Sequence, residues 1–338
     1  MKPQHVVVVG ATGAVGQEML KTLAQRNFPI ASLRLVASPG SAGRSVHFHG
    51  QDYTLIAASR AAFEGSTLAL FSAGASVSRE WGDVAAQCGA LVVDNSSAFR
   101  MDADVPLVIP EVNPEALEDR PRNIIANPNC STIQMLVALK PIQDAVGIAR
   151  INVATYQAVS GTGKEAIDEL AGQTRALFNQ QDVNVEVYPK RIAFNVLPQI
   201  DVFMENGYTK EEMKMVWETR KIMEDDSIEV NPTAVRVPVF YGHSEAVHIE
   251  TRKKITAVEA RALLEKAPGV VVMDKREPGG YPTPIDAAGN DATYVGRIRD
   301  DISHPMGLNL WVVSDNVRKG AALNSVQIAE ILIAKYLN

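Results

Sequence analysis

The sequence predicts an α/β fold: a doubly wound parallel sheet, then an α+β domain on a mainly antiparallel sheet, then a C-terminal helix that returns to the first domain. Three observations carry this. Short, wholly apolar runs alternate with helix-period segments over roughly the first 130 residues, the pattern of buried parallel strands joined by crossover helices. Beyond them, strands alternate apolar and polar residues, as half-exposed antiparallel strands do. The final stretch, GAALNSVQIAEILIAKYL, is helical in period and apolar enough to require a partner surface.

Taken in order, HVVVV (5–9) reads as a buried strand, and AVGQEMLKTLAQR (14–26) as a helix with Val15, Met19, Leu20 and Leu23 on one stripe. LRLVAS (33–38), TLALFSA (67–73) and ALVVDNS (90–96) are further strands. VSREWGDVAAQCG (77–89) is the helix between the last two, with Gly89 as its cap. A helix from Ser131 to Val146 precedes the alternating strand ARINVATYQAV. KEAIDELAGQTRALFNQQ (164–181) sets Ile167, Leu170, Ala171, Thr174, Leu177 and Phe178 on one face, suited to a core or an interface. AVRVPVFYG (234–242) and EAVHIETRKK (245–254) read as strands of the second sheet, and GLNLWVVSDN precedes the terminal helix. The expected ranges are 1–129 for a nucleotide-binding domain, 130–315 for a catalytic and dimerisation domain, and 316–338 for the returning helix.

With 46% hydrophobic and 21% charged residues, the 338-residue chain has ample apolar surface to bury. A net charge of −6 and the lack of any Lys/Arg-rich run argue against a nucleic-acid partner. No apolar stretch is long enough to span a membrane. The opening MKPQHVVVVGATG runs straight into glycines, without the longer apolar core and cleavage pattern of a signal peptide, so a soluble cytoplasmic protein is expected. In that compartment Cys88 and Cys130 stay reduced.

GATGAVG puts Gly10, Gly13 and Gly16 directly between the first strand and the first helix. There a tight turn, close backbone approach and a helix N-terminus together favour a diphosphate. The spacing is GxxGxxG rather than GxGxxG, and a plain glycine turn is the bland alternative. A Rossmann-type NAD site usually ends its second strand with Asp or Glu to hold the ribose 2′-hydroxyl. This chain has LVASPGSAGRS there, with Ser38, Ser41, Gly43, Arg44 and Ser45 and no acid. Hydroxyls and a guanidinium suit a 2′-phosphate, so NADP is expected over NAD.

Cys130 follows NPN and opens an apolar helix. Such a position stabilises a thiolate nucleophile, although a free cysteine is also a common buried small hydrophobe. Cys88, at a helix end in AAQCG, fits that second description. Of six histidines, His243 stands apart because FYGHSEA places it beside Gly242 with Arg236 upstream. The chain has no CxxC or HxxH spacing, and no metal site is expected.

GATGAVG, SAGRS, DNSSAFR, ANPNCST, YQAVSGTG, EEMK, RVPVFYGHSE and SDNVRKGAALNSVQIAE together resemble the aspartate-semialdehyde dehydrogenases of bacterial type. The resemblance runs over almost the whole chain in order; NPNCST with GHSE is its specific part. It implies NADPH-dependent reduction of L-aspartyl 4-phosphate to L-aspartate 4-semialdehyde through a cysteine thioester, in biosynthesis of lysine, threonine, methionine and isoleucine. By position, Cys130 matches the family's nucleophile, His243 its acid/base and Gln157 its orienting amide. Arg236 matches the clamp for the substrate carboxylate, Arg100 and Lys214 the cations around phosphate, and Glu211 the partner of the substrate ammonium. Asn129 falls among the substrate contacts. Gly10, Thr12, Gly13, Ala14, Val15, the Ser38 and Ser41–Arg44 loop, Ser72, Ser160, Gly161 and Asn316 match cofactor contacts. Members of the family form homodimers through the second domain, some of them tetramers.

Local chemistry leaves weaker alternatives. Glu211 and Lys214 also read as an exposed i, i+3 pair behind a Thr209–Glu212 capping box. N-acetyl-glutamyl-phosphate reductase shares the cysteine logic, but its substrate has no free ammonium for Glu211. A non-catalytic nucleotide binder has no reason to keep Cys130, Gln157, Arg236 and His243 together, and a thiol hydrolase leaves the glycine turn unexplained.

Overall fold

The computed structural model describes residues 2–337; Met1 and Asn338, the outer ends of the first and last expected ranges, lie outside the described residues. The chain forms two compact units, Met1–Pro128 with Ala321–Asn338, and Asn129–Gly320.

The first unit runs β1 (Gln4–Val9), α1 (Ala14–Gln25), β2 (Ile30–Ala37), the hairpin β3 (Ser45–Phe48) and β4 (Gln51–Thr54), then β5 (Ile56–Ala57) and α2 (Arg60–Phe63). β6 (Leu68–Phe71), α3 (Ala75–Gln87), β7 (Leu91–Asp94) and β8 (Ile124–Ala126) complete it up to Pro128. Six strands make one wholly parallel sheet in the order β5-β2-β1-β6-β7-β8. Alternation sends Val6, Val8, Leu68 and Leu70 to a core shared with Met19, Leu20 and Leu23 of α1. The other face stacks Phe71 on Phe63, ring centres 6.0 Å apart, with Trp81 of α3 beside them. The chain builds outwards from β1 to β2, then restarts on the other side with β6, so strand order reverses between β1 and β6. That reversal leaves a crevice at the carboxyl ends of the strands, where Gly10 and Ser72 follow β1 and β6.

The second unit holds α4 (Cys130–Val146), β9 (Ile148–Gln157), α5 (Lys164–Phe178), α6 (Lys210–Met223), β10 (Glu229–Arg236), β11 (His243–Thr251) and α7 (Ala257–Leu264). β12 (Val270–Val272), α8 (Pro284–Ala287), β13 (Thr293–Asp300) and β14 (Gly307–Ser314) follow. Its sheet has the order β10-β9-β11-β14-β13-β12. The three inner pairs are antiparallel and the outer pairs, β10 with β9 and β12 with β13, parallel. Of the strand expected over 234–242, only the part up to Arg236 lies in β10. Pro238 lacks an N–H for the ladder, and the chain turns back through Gly242 at φ +92°. A Cβ on Gly242 would stand 2.9 Å from Pro284 Cα, so the turn into His243 requires glycine.

α9 (Leu323–Tyr336) closes the first unit. Val326, Ile328, Ala329, Leu332 and Ile333 enter the same core as β1 and α1; a fully buried aliphatic side chain contributes about 1.5–3 kcal/mol. Buried Asn324 donates to the Val108 carbonyl (3.1 Å) and to Asn127 Oδ1 (2.7 Å), fixing the helix by direction as well as by burial. Among the described residues, no helix is long and apolar enough to cross a membrane.

Candidate active site

The expected site residues divide between the two units. In the first unit, Gly10 has φ +83°, and a Cβ there would meet Ala73 N at 2.8 Å. A Cβ on Gly16 would collide with the Gly10 carbonyl at 2.2 Å. Gly13, the N-cap of α1, makes no side-chain cap hydrogen bond to the first helical N–H groups. Ser72 Oγ donates to the Val9 carbonyl at 2.9 Å, pinning the end of β1 across the strand reversal. β2 ends at Ala37 and passes to exposed Ser38, Gly40 and Arg44. A glycine cradle with an uncapped helix start suits a dinucleotide diphosphate, and the rim with Ser38, Ser41 and Arg44 carries donors and no acid. Arg100 is buried to 8% exposure and donates from Nη2 to the Asn95 carbonyl at 3.0 Å.

The second unit gathers the chemistry around the start of α4. Asn129 is the N-cap: its Oδ1 accepts from the N–H groups of Ser131 (3.0 Å) and Thr132 (3.3 Å). Cys130 is therefore the first helical residue, half-buried at the positive end of the helix dipole, and neither cysteine is disulfide-bonded. Asn129 is held on two further sides. Its backbone N–H donates to Glu218 Oε2 at 2.6 Å, and its Nδ2 to Glu211 Oε1 at 2.9 Å. Gly320 passes so close that a Cβ on it would lie 2.8 Å from the Cys130 Cβ.

Glu211 is the hub. Its Oε1 also accepts from Gln157 Nε2 at 3.1 Å, and Oε2 from Lys214 Nζ at 2.9 Å. Lys214 reaches Asp201 Oδ2 at 2.9 Å as well. Burial pushes the Glu211 carboxyl up, but the Lys214 charge and the bonds from Asn129, Lys214 and Gln157 outweigh it and hold it at about 2. Glu211 is thus buried and Lys214 half-buried, and the two are not an exposed i, i+3 pair. The Thr209–Glu212 capping box is present too, and Glu212 Oε1 additionally accepts from the Ala234 N–H at 2.9 Å.

Thr155 Oγ1 donates to Gln157 Oε1 at 3.0 Å, which orients the amide with its nitrogen towards Glu211. The same nitrogen lies 3.4 Å from His243 Nε2. His243, the first residue of β11, is fully buried, and its Nδ1 accepts the Ala158 N–H at 3.0 Å. Burial, reinforced by the Arg236 charge, lowers the imidazole to about 3, so the ring is neutral. Because a backbone N–H occupies Nδ1, the ring proton resides on Nε2. Arg236, 4% exposed, donates from Nη1 to the Ala158 carbonyl at 2.7 Å while its buried Nε has no partner. A buried unpaired guanidinium donor is costly unless an acceptor arrives. Gly161 leaves room beside these groups: a Cβ there would stand 3.0 Å from Arg236 Nη1 and 3.3 Å from His243 Nε2. Ser160 and Asn316 hydrogen-bond each other at 3.0 Å, and Asn316 Oδ1 accepts the Gly242 N–H at 2.9 Å, fixing the turn before His243.

The second unit thus brings together Asn129, Cys130, Gln157, Glu211, Lys214, Arg236 and His243, with Ser160, Gly161 and Asn316 beside them. Gly10 to Val15, Ser38 to Arg44, Ser72 and Arg100 belong to the first unit. Glu218 escaped the sequence reading, although a signal existed: it lies on the buried stripe of α6 with Met215 and Ile222, where an acid needs a partner.

A doubly wound sheet with a glycine cradle in one unit, and in the other a cysteine at a helix start with a buried imidazole, an amide and a guanidinium, define a nucleotide-dependent oxidoreductase of the cysteine type. Residues 5–120 match the semialdehyde dehydrogenase NAD-binding domain, and residues 139–319 the semialdehyde dehydrogenase dimerisation domain. The chain is 62% identical over 334 residues to the aspartate-semialdehyde dehydrogenase of Shewanella violacea, covering 98% of both chains. It is 53% identical to that of Bacillus subtilis, covering 97% of both. The solved structure of aspartate semialdehyde dehydrogenase II from Vibrio cholerae complexed with ASA superimposes with a TM-score of 0.97 at 56% identity, covering 99% of this chain and 100% of that one. The chain belongs to the aspartate-semialdehyde dehydrogenase family.

Proposed function

We propose that the protein interconverts L-aspartyl 4-phosphate and L-aspartate 4-semialdehyde plus phosphate, with NADP as redox partner. The observation that carries this is the network joining Asn129, next to Cys130, through Glu211 and Gln157 to His243. In it, the Cys130 sulfur attacks the acyl carbonyl, the C–O bond to phosphate breaks, and a thioester remains. When bound, NADP supplies or accepts the hydride at that carbon. The Gln157 amide and the His243 Nε2–H, 3.4 Å apart, are two donors able to share one oxygen. They stabilise the oxyanion as it forms, and His243 passes its proton to that oxygen and recovers it when the aldehyde leaves.

Arg236 offers its unpaired donor to the substrate carboxylate. Glu211 faces the free ammonium, a group that an acetylated substrate lacks, which favours aspartyl phosphate over an N-acetyl-glutamyl one. Lys214 and Arg100 serve the phosphate. Gly10, Thr12, Gly13, Ala14, Val15 and Ser72 cradle the diphosphate, and Ser38, Ser41, Gly43 and Arg44 the 2′-phosphate; in the second unit Ser160, Gly161 and Asn316 match cofactor contacts too. The protein acts in the cytoplasm, in synthesis of the aspartate-derived amino acids, as a homodimer. One face of the second sheet presents exposed Tyr156 against Trp311, ring centres 5.6 Å apart, an aromatic patch that suits a second copy.

The test is phosphate-dependent reduction of NADP with aspartate semialdehyde, run on the native protein and on Cys130→Ser. Activity only with the cysteine is expected; turnover that survives Cys130→Ser refutes the thioester route. Dissociation constants for both nucleotides decide the cofactor, and tighter NAD would overturn the choice of NADP.

A further inference from the structure

The active-site network leaves one buried carboxyl without a task. Glu245 stands two residues after His243 on β11, on the face that buries His243, Val247 and Ile249, and is itself fully buried. Its strand neighbours are Thr155 on β9 and Val312 on β14. Neither carboxyl oxygen has a hydrogen-bond partner. Burial pushes the carboxyl well above the ordinary carboxylate range, and the Gln134 side chain, which meets it, lowers it by less.

Gln134 is equally distinctive. It sits one turn after Cys130 on α4, fully buried, and its Nε2 donates to the His243 carbonyl at 3.3 Å. Its Oε1 has no donor. One amide thus faces the strand of the acid/base residue with its nitrogen and has an unsatisfied oxygen, while a carboxyl beside it has unsatisfied oxygens too. An ionised carboxylate supplies only further acceptors; a single proton on Glu245 supplies the donor that the pair needs.

We infer that Glu245 is a protonated positioning residue: its hydroxyl donates to Gln134 Oε1, locking the amide that ties the His243 backbone to the helix that begins at Cys130. The carboxyl never touches the reacting atoms. It acts by keeping two elements, α4 and β11, in one register, so that the nucleophile and the imidazole it works with are set by a shared brace. This rests on the reaction proposed above; the protonation of Glu245 is readable without turnover.

The variants are Glu245→Gln, Glu245→Met and Gln134→Met, assayed for kcat and KM beside thermal melting. Glu245→Gln keeps a donor and should retain kcat within about twofold. Glu245→Met keeps the volume but loses the donor and should lower kcat by about tenfold or more with KM little changed, and Gln134→Met should do the same. The double Met variant should be no worse than either single one, since both remove one unit. Equal loss in Glu245→Gln and Glu245→Met, or full kcat in Glu245→Met, overturns the inference. Infrared difference spectra of native protein against Glu245→Gln give a second reading even if a Met variant fails to fold: the carbonyl stretch of a protonated carboxyl is expected to vanish in the variant. Its absence from the native protein also overturns the inference. A native protein inactive in the phosphate-dependent assay yet showing that band would fail the reaction while leaving the protonated brace intact.

Discussion

The Ala158 N–H donates to Nδ1 of His243 at 3.0 Å, and this bond decides which nitrogen of the ring faces the chemistry. A backbone donor cannot flip, so the neutral imidazole carries its proton on Nε2 and enters the reaction as a donor. Nitrogen-15 spectra of histidine-labelled protein should show His243 neutral and protonated at Nε2 between about pH 5 and 8. A titration near 6.5, the ordinary value, would contradict the assignment. The same shift affects folding. His243 binds a proton at about 6.5 in the unfolded chain and only at about 3 when folded, so its linkage lowers stability as pH falls through that window and is silent above it.

Glu211 provides a second pH signature. Its folded value of about 2 lies below the ordinary 4.5, so its contribution is present in full above 4.5 and is lost as pH falls towards 2. Lys214→Met leaves the buried carboxylate without its cation and should cost about 3 kcal/mol or more, seen in urea unfolding at neutral pH. Adding Glu211→Gln to that variant should recover much of the loss. A Lys214→Met protein as stable as the native one would show that the pair does not hold α6 in place.

Gly161→Ala tests the space between the carboxylate clamp and the imidazole. The added methyl would lie 3.0 Å from Arg236 Nη1 and 3.3 Å from His243 Nε2, tighter than ordinary packing. The expected outcome is a fall in kcat/KM on the order of tenfold to a hundredfold with unchanged melting, because the backbone there needs no left-handed conformation. Unaltered kinetics would place the substrate elsewhere.

Gly320→Ala addresses the nucleophile directly, since its Cβ would come within 2.8 Å of the Cys130 Cβ. Alkylation of Cys130 by iodoacetamide should slow by about tenfold, and turnover with it, while Cys88 reacts as before. Equal alkylation rates would mean that the start of α4 yields without cost.

Glu218→Gln separates the cap of α4 from the chemistry around it. The carboxylate accepts the Asn129 N–H at 2.6 Å, and a charged acceptor there contributes about 1.5–3 kcal/mol. The amide should retain part of the bond, and Glu218→Ala should lose most of it, with a matching fall in kcat and little change in cofactor binding. Cofactor affinity that falls instead would assign Glu218 to the nucleotide.

Much of this was legible because it is local. HVVVV followed by GATGAVG specifies a strand, a turn and a helix within a dozen or so residues, and the glycines are fixed by contacts such as Gly16 with the Gly10 carbonyl. The helix start at Cys130 was legible because Asn129 caps it through its own next residues. What stayed hidden depends on partners far along the chain. Glu218 lies on the apolar stripe of α6, but nothing local names its partner, the Asn129 N–H, and Gln134 and Glu245 likewise meet only once α4 and β11 pack. The short strands β3, β4, β5 and β12 carry too few residues to show a period, and Pro238 ended β10 earlier than the alternation of AVRVPVFYG implied.

The return of α9 to the first unit sets a timetable for synthesis. Residues up to 128 are made first, yet their core includes Val326, Ile328, Leu332 and Ile333 of α9. The unit from Asn129 to Gly320 is continuous and can close while translation is still under way. The parallel sheet, although encoded first, therefore has a core that is complete only when α9 has joined it.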